Sequence, residues 1–479
     1  RVGTSQPVLF SGTDLMVAGP GSMDLGLYGD STLTNVVVDG ATVASDGDDV
    51  FDTVTVSGCT GTTGLALGGS GTRSLVDVSV TGCSDEGLRI GPNVQLTTFT
   101  GVDLQSNGGT ALTAPADLLA MMGGELTVSG NGFDGVQIAG GTSLRRSGTW
   151  PDVTVMVPSE LVAGFGSTNP VLTIPSDLVF ASGSRFRVGT SSNATVDFTG
   201  ASLTGASAGD WLGLEVGFAG SSTLTDSTIE NATTGLTSSG GLVGLTRVSL
   251  LSNTVAGLSA SGFNNRVSIA ESLFQGNGDG LRMLSTPVSF ATSDNQFTGQ
   301  TGFGAVVVGE ALVPIGNSNS TFSGNVGGGV HITGGAATNL VLADNGQAYV
   351  LTGTLSISGT SSISADIDVN PGGGIVQTSG SLMIADSVIT SSAFPASPGD
   401  WLGITFGPSC TDATTSITNS VVSYGGGNGF GNLYLNGCDA TVTGNTIFHS
   451  STYGIYVNGA SPVVSGNSFA NNASGDTFP

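Results

Sequence analysis

Apolar and polar positions alternate along this chain in short runs, and the runs follow a fixed order. Thr53–Leu67 reads TVTVSGCTGTTGLAL and Val76–Ile90 reads VDVSVTGCSDEGLRI. Each is an alternating run, a polar corner, a glycine, then a second alternating run. The order returns at Leu126–Ile138, Val248–Leu258, Ser272–Met283, Ser320–Ile332 and Val442–Val457. A period of two marks a strand with one buried face. The corners measure the longer period: Cys59, Cys83, Asn107 and Asn131 are spaced 24, 24 and 24 positions apart. Asn231, Asn253, Asn277, Gln300 and Asn325 are spaced 22, 24, 23 and 25. Strands recurring at this interval with no helix pattern between them predict an all-β solenoid. Asparagine suits such a corner because it tolerates the left-handed region. Stacked from coil to coil, Asn107, Asn131, Asn253, Asn277 and Asn325 would form an amide ladder.

A second, longer repeat overlies the first. Ala208–Phe218, AGDWLGLEVGF, returns as PGDWLGITFG at Pro398–Gly407, which sets Trp211 and Trp401 190 positions apart. A weaker copy, GSMDLGLYG, lies at Gly21–Gly29 with Met23–Asp24 in place of Asp–Trp. The segment falls once per module, between Asn-cornered coils and the less regular stretches 142–206 and 337–395. It reads as an architectural joint, with Asp210 and Asp400 serving a turn and the two tryptophans covering a wide spot in the core. The modules expected are a partial one at 1–140, a full one at 141–336 and a third, truncated or continuing, at 337–479, all in one continuous solenoid. RVGTS at Arg1–Ser5 repeats at Arg187–Ser191, so the chain is expected to begin inside a module, as a piece of a longer protein.

Composition narrows the function classes. The net charge is −25, all ten basic residues are arginine, and 79 residues are glycine. Phosphate contacts need clustered cations, and only Arg145–Arg146 and Arg185/Arg187 come close to clustering, so nucleic-acid binding is not expected. No apolar run is long enough to insert into a membrane as a helix. An acidic, lysine-free chain rich in Ser, Thr, Gly and Asn reads as extracellular or cell-surface.

The steps Gly64–Leu67, Gly87–Ile90, Gly135–Ile138, Gly280–Met283, Gly329–Ile332 and Gly454–Val457 carry a resemblance. With them the chain resembles the right-handed parallel β-helix repeat proteins, and its GDW segments resemble the modules of large bacterial surface and secreted proteins. The resemblance covers nearly the whole chain and implies a single-stranded right-handed parallel β-helix of about 20 coils in a continuous rod. It is poor in functional content, because the same scaffold hosts lyases, glycosidases, adhesins and structural proteins. The chain lacks the Gly-His-Gly element and the lysine of similar polygalacturonases.

Candidate chemistry is sparse. Cys59/Cys83 and Cys410/Cys438 occupy matched positions on adjacent coils, where Cα atoms about 5 Å apart would allow disulfides; an oxidising compartment follows. The acidic run Asp46, Asp48, Asp49 and Asp52 reads first as a solvated loop, with Ca2+ binding and an acid–base pair as the alternatives; it lacks the spacing of an EF-hand. No other cofactor is expected. His331 and His449 read as surface or corner residues outside any nucleophile pattern. Arg89 and Arg282 read as local ion pairs with Asp85–Glu86 and Asp279. Tyr434 and Tyr456 face outward if Leu433, Leu435, Ile455 and Val457 face inward, which makes them candidate glycan contacts; Tyr453 is a third platform. No catalytic residue is assigned, and an enzyme is not expected. The leading expectation is a structural or adhesive extracellular solenoid, a fibre-forming segment of a larger repetitive surface protein. Its partner would be further solenoid, joined end to end, with surface glycans as a further ligand. The alternative is a polysaccharide-binding or polysaccharide-degrading β-helix working in an outer groove.

Overall fold

A computed structural model of the chain describes residues 10–140, 142–344, 346 and 348–478. The RVGTS stretch at 1–5 lies outside the described residues, as do the side chains of Met23 and Asp24. The protein is all-β, and its strands pair in parallel as a β-solenoid of about 20 turns. The chain divides into two compact units, Arg1–Gly235 and Leu236–Pro479.

In the first unit the inward positions of successive coils fall in register. One column runs Val43, Leu65, Leu88, Leu112, Val136, Val155, Leu178, Leu203 and Ile229. Every member is fully buried. In the second unit Leu258, Leu281, Ala305, Val330, Tyr349, Ile367, Ile389, Val422 and Ile447 form a column in another sheet. A neighbouring column stacks Phe274, Phe297 and Phe322, with centroids 4.6 and 4.7 Å apart. Like side chains lie on like because a one-coil step returns each strand to the same face. The less regular stretches 142–206 and 337–395 are built from the same parallel strands, among them Thr154–Val157, Phe186–Val188, Ile367–Val369 and Val388–Ser391.

The corners differ from expectation in one respect. The left-handed residue is the one before the ladder amide: Ser106, Gly130, Ser252, Gly276, Gly299 and Gly324 have φ between 53° and 68°. Asn231 is itself left-handed at 61°. Bending the chain one residue early turns the next side chain into the core, where it hydrogen-bonds along the axis. Asn107 Nδ2 donates to Asn131 Oδ1 (2.8 Å), and Asn107 Oδ1 accepts from the Cys83 N–H (3.1 Å). In the second unit Asn253 Nδ2 donates to Asn277 Oδ1 (2.8 Å). The Asn277 N–H then donates to Gln300 Oε1 (2.7 Å) and the Gln300 N–H to Asn325 Oδ1 (3.0 Å). Asp134 closes the first ladder, its Oδ1 accepting from the Asn131 N–H (2.7 Å). A second line, not anticipated because serine interrupts it, links Val248, Ser272, Asn295 and Ser320 through side-chain oxygens on backbone N–H groups.

Asn277 is fully buried and its Nδ2 also donates to the Leu250 carbonyl (2.9 Å). Asn277→Ala therefore removes the acceptor of two Asn253 hydrogen bonds and the donor to one carbonyl, and is expected to cost about 2–3 kcal/mol in denaturant unfolding. Asn107→Ala should have a comparable effect on the first unit.

Two short helices break the strand pattern, beside the three-residue 3-10 turns Gly123–Glu125 and Asp412–Thr414. Ala116–Met121 is a 3-10 helix and Gly309–Gly316 an α-helix. The latter buries Ala311, Leu312 and Ile315 against the strand Gly335–Thr338. Each takes the place of one strand in its coil. Eight residues or fewer are too short to register against a window of 11–18. The two helices recur at about the module interval, so each module has a second joint beside the GDW segment.

At the GDW joints both tryptophans are fully buried. Trp211 stacks on Phe180 with centroids 4.1 Å apart, and its Nε1 donates to the Glu230 carbonyl (2.9 Å). Trp401 Nε1 donates to the Ser423 carbonyl (2.8 Å). Asp210 and Asp400 accept backbone N–H groups of Ala206 (3.2 Å) and Ser397 (2.8 Å) within their turns.

Candidate functional site

The outer face of the second unit carries an aromatic strip. Strands Ile404–Phe406, Gly431–Asn436, Tyr453–Asn458 and Gly475–Phe478 lie side by side, and one outward column runs Thr405, Tyr434, Tyr456, Phe478. Leu433, Leu435 and Ile455 fill the inward positions and are fully buried. Val457 is half-buried. Strand alternation thus places Tyr434 and Tyr456 on the outside, each half-buried by its neighbours. Phe430 stacks on Tyr434 (4.2 Å, 15°) and Tyr456 on Phe478 (4.7 Å, 9°), while Tyr434 meets Tyr456 edge to face (5.7 Å, 75°). Tyr453 joins the group 5.9 Å from Tyr456. Phe430 and Phe478 were not among the sequence candidates. The signal was the coil period itself, since Tyr434, Tyr456 and Phe478 recur at an interval of 22.

Polar groups border the strip. Asn436 and Asn458 are register partners, and Asn458 Nδ2 donates to Asn436 Oδ1 (3.0 Å) and to the Tyr434 hydroxyl (3.3 Å). No basic residue follows Arg282 in the sequence, so the charges nearest in sequence to this face are acidic: Asp412, Asp439 and Asp476. Flat rings beside exposed amides and hydroxyls match the apolar faces and the hydroxyl rims of uncharged sugars.

The acidic run has a different use. The strand Asp49–Ser57 alternates in and out, so Asp49 points into the core while Asp48 stays outside. Asp49 pairs with Arg73, one coil later and its register partner, at 3.3 Å; both side chains are fully buried. Ser45 Oγ donates to Asp49 and accepts from Arg73 Nε (2.8 Å). Arg73 also donates to the carbonyls of Gly68 (2.7 Å) and Thr72 (3.1 Å). Burial pushes the Asp49 carboxyl up, against the pull of Ser45 and Arg73. It also lowers the Arg73 guanidinium from its usual value. Asp48 Oδ1 accepts the Thr72 N–H (2.6 Å) and hydroxyl, and the N–H bond holds its carboxyl below the usual range. Asp46 is exposed and Asp52 half-buried. Among the described residues no three of these four carboxylates lie within 4.8 Å of one another.

Cys59–Cys83 and Cys410–Cys438 are disulfide-bonded, with Cα atoms 4.4 and 5.8 Å apart. The first stands at the head of the Asn107 ladder, through the Cys83 N–H. The Asp412 carboxylate lies beside the second. Two disulfides point to an oxidising setting. Among the described residues no helix is long and apolar enough to cross a membrane.

His331 Nε2 meets Thr352 Oγ1 at 3.0 Å, and its ring lies 4.7 Å from Phe303. Burial lowers its pKa, with Asp279 pulling the other way. His449 sits at a left-handed corner (φ 55°) beside Tyr424 and Asn471. Arg89 pairs with Glu86 at 2.6 Å and Arg282 with Asp279 at 3.6 Å. No family model, curated protein or solved structure matches the chain.

Proposed function

We propose that this chain is a structural or adhesive extracellular solenoid, a fibre-forming length of a larger repetitive surface protein. The observation that supports this best is the continuous use of each coil as a template for the next. Apolar columns, amide ladders and inter-coil disulfides all act along one direction, and such a design lengthens by adding coils. Unpaired strand edges favour addition of further strands. Electron microscopy of the native material should show filaments with a repeat near one module or one chain length. Compact, monodisperse monomers of the full-length protein would overturn this reading.

The aromatic strip favours a second role, contact with surface polysaccharide along Tyr434 and Tyr456. Tyr434→Ala with Tyr456→Ala should abolish retention on whichever neutral polysaccharide in a panel holds the native chain, without unfolding it, since both rings lie outside the core. A panel with no retention by the native chain removes this role.

A further inference from the structure

In this protein nearly every arginine is matched to a carboxylate. Arg73, Arg89, Arg146, Arg185, Arg187, Arg247 and Arg282 all form ion pairs. Among the described residues, Arg145 and Arg266 have none. Arg266 is exposed on a strand paired on both sides, whereas Arg145 lines a cavity of about 510 Å³ in the first unit. Asn93, Gln95, Ser143 and Arg146 line it too, with Pro92 as an apolar wall. The volume falls in the range of small-molecule sites.

Asp117 organises the two arginines. Its Oδ1 accepts the N–H groups of Arg145 (2.6 Å) and Arg146 (2.9 Å), and its Oδ2 accepts Arg146 Nε (3.3 Å). Arg146 also reaches Met121 Sδ through its other side (2.8 Å). The main chain under Arg145 is therefore fixed while its guanidinium stays exposed and unneutralised. Asp117 and Met121 both belong to the short helix Ala116–Met121. The second module has its own helix at Gly309–Gly316, yet no arginine follows that helix in the sequence. The architecture is repeated and the paired cations are not, so the charge is an addition to the scaffold rather than a requirement of it.

We propose that this cavity binds a small saccharide bearing one oxyanion, a carboxylate or a sulfate ester. The Arg145 guanidinium takes the oxyanion in its two-pronged geometry, which carboxylate and sulfate both fit. Asn93, Gln95 and Ser143 offer donors and acceptors to sugar hydroxyls. At physiological ionic strength the screening length is about 8 Å, so the local excess of positive charge outweighs the protein's net negative charge. This site is independent of the aromatic strip.

The test is titration of the full chain at physiological salt with glucuronate, glucose 6-sulfate and glucose, followed by NMR or calorimetry. At least one anion should bind, and glucose should bind at least about tenfold more weakly. Arg145→Gln should remove about tenfold or more of that affinity at an unchanged melting temperature, and Arg266→Gln should remove none. Binding of one anion alone supports the site and names its oxyanion. Binding of neither anion, equal binding of glucose, an unaffected Arg145→Gln chain, or an equal loss in Arg266→Gln would each overturn it.

Discussion

Trp401→Ala is expected to destabilise the protein by about 3–5 kcal/mol, the usual cost of emptying a core aromatic site. The indole is wholly enclosed. It closes the joint at which the turn held by Asp400 enters the strand Ile404–Phe406. The backbone there has little room to collapse into the hole: Gly403 already sits at φ 98°, and a Cβ on Gly425 would come within 3.2 Å of the ring. Trp401→Phe separates shape from hydrogen bonding. It keeps most of the volume and leaves the Ser423 carbonyl without its donor, for an expected loss of about 1–3 kcal/mol. Denaturant unfolding gives both values, and hydrogen exchange should place the change in the coils around 374–448. If both variants unfold like the native chain, the tryptophan is not what closes the joint.

Arg73→Ala should cost a similar amount, about 3–5 kcal/mol, because it leaves the Asp49 carboxylate buried without its counter-ion. Replacing both members with apolar residues of similar size, Arg73→Met with Asp49→Leu, should recover most of that loss. The pH dependence of the single variant has a definite sign. Burial raises the Asp49 pKa in the folded state, and removing Arg73 raises it further. Below the unfolded value of about 3.9 the group is protonated in both states and the penalty disappears. The penalty grows as pH climbs above that value and is complete above the folded pKa. Unfolding measured at pH 7 and near pH 4 should therefore show a smaller deficit for Arg73→Ala at the lower pH. A deficit equal at both, or larger in acid, would mean that the carboxylate is not the group left stranded.

The fold was legible because its period is written in chemically distinctive residues. Cys59, Cys83, Asn107 and Asn131 stand one coil apart, and a coil step is what brings them into contact. The ion pair inside the acidic run at Asp46–Asp52 was not legible, for the opposite reason. A cluster of aspartates looks solvated or metal-binding when read locally, and the partner of Asp49 lies 24 positions away. That separation is the coil period, so aligning the coils would have set Asp49 against Arg73. The helix at Gly309–Gly316 was hidden because its buried face consists of four residues and contains no run long enough to show periodicity. The same distance effect concealed Phe478 beside Tyr456, and the Arg145 cavity, whose walls come from segments about 25–50 positions apart.

The amide ladders have a further consequence, for how the material ages. Asn107–Gly108, Asn131–Gly132 and Asn277–Gly278 are the dipeptide in which an open chain deamidates most readily, by attack of the glycine nitrogen on the side-chain carbonyl carbon. Here the nitrogens of Gly108, Gly132 and Gly278 are tied to carbonyls of Cys83, Asn107 and Asn253 at 2.8, 2.8 and 2.9 Å. The side-chain amides are held along the axis by their neighbours. The cyclisation that would convert them to aspartate needs both groups to swing out of these bonds, so the sequence most prone to decay is kept where the fold arrests it. Outside the ladders, at the exposed Asn458–Gly459 pair, the amide is tied at the surface to Asn436 and the Tyr434 hydroxyl, and this pair is expected to react before the ladder pairs.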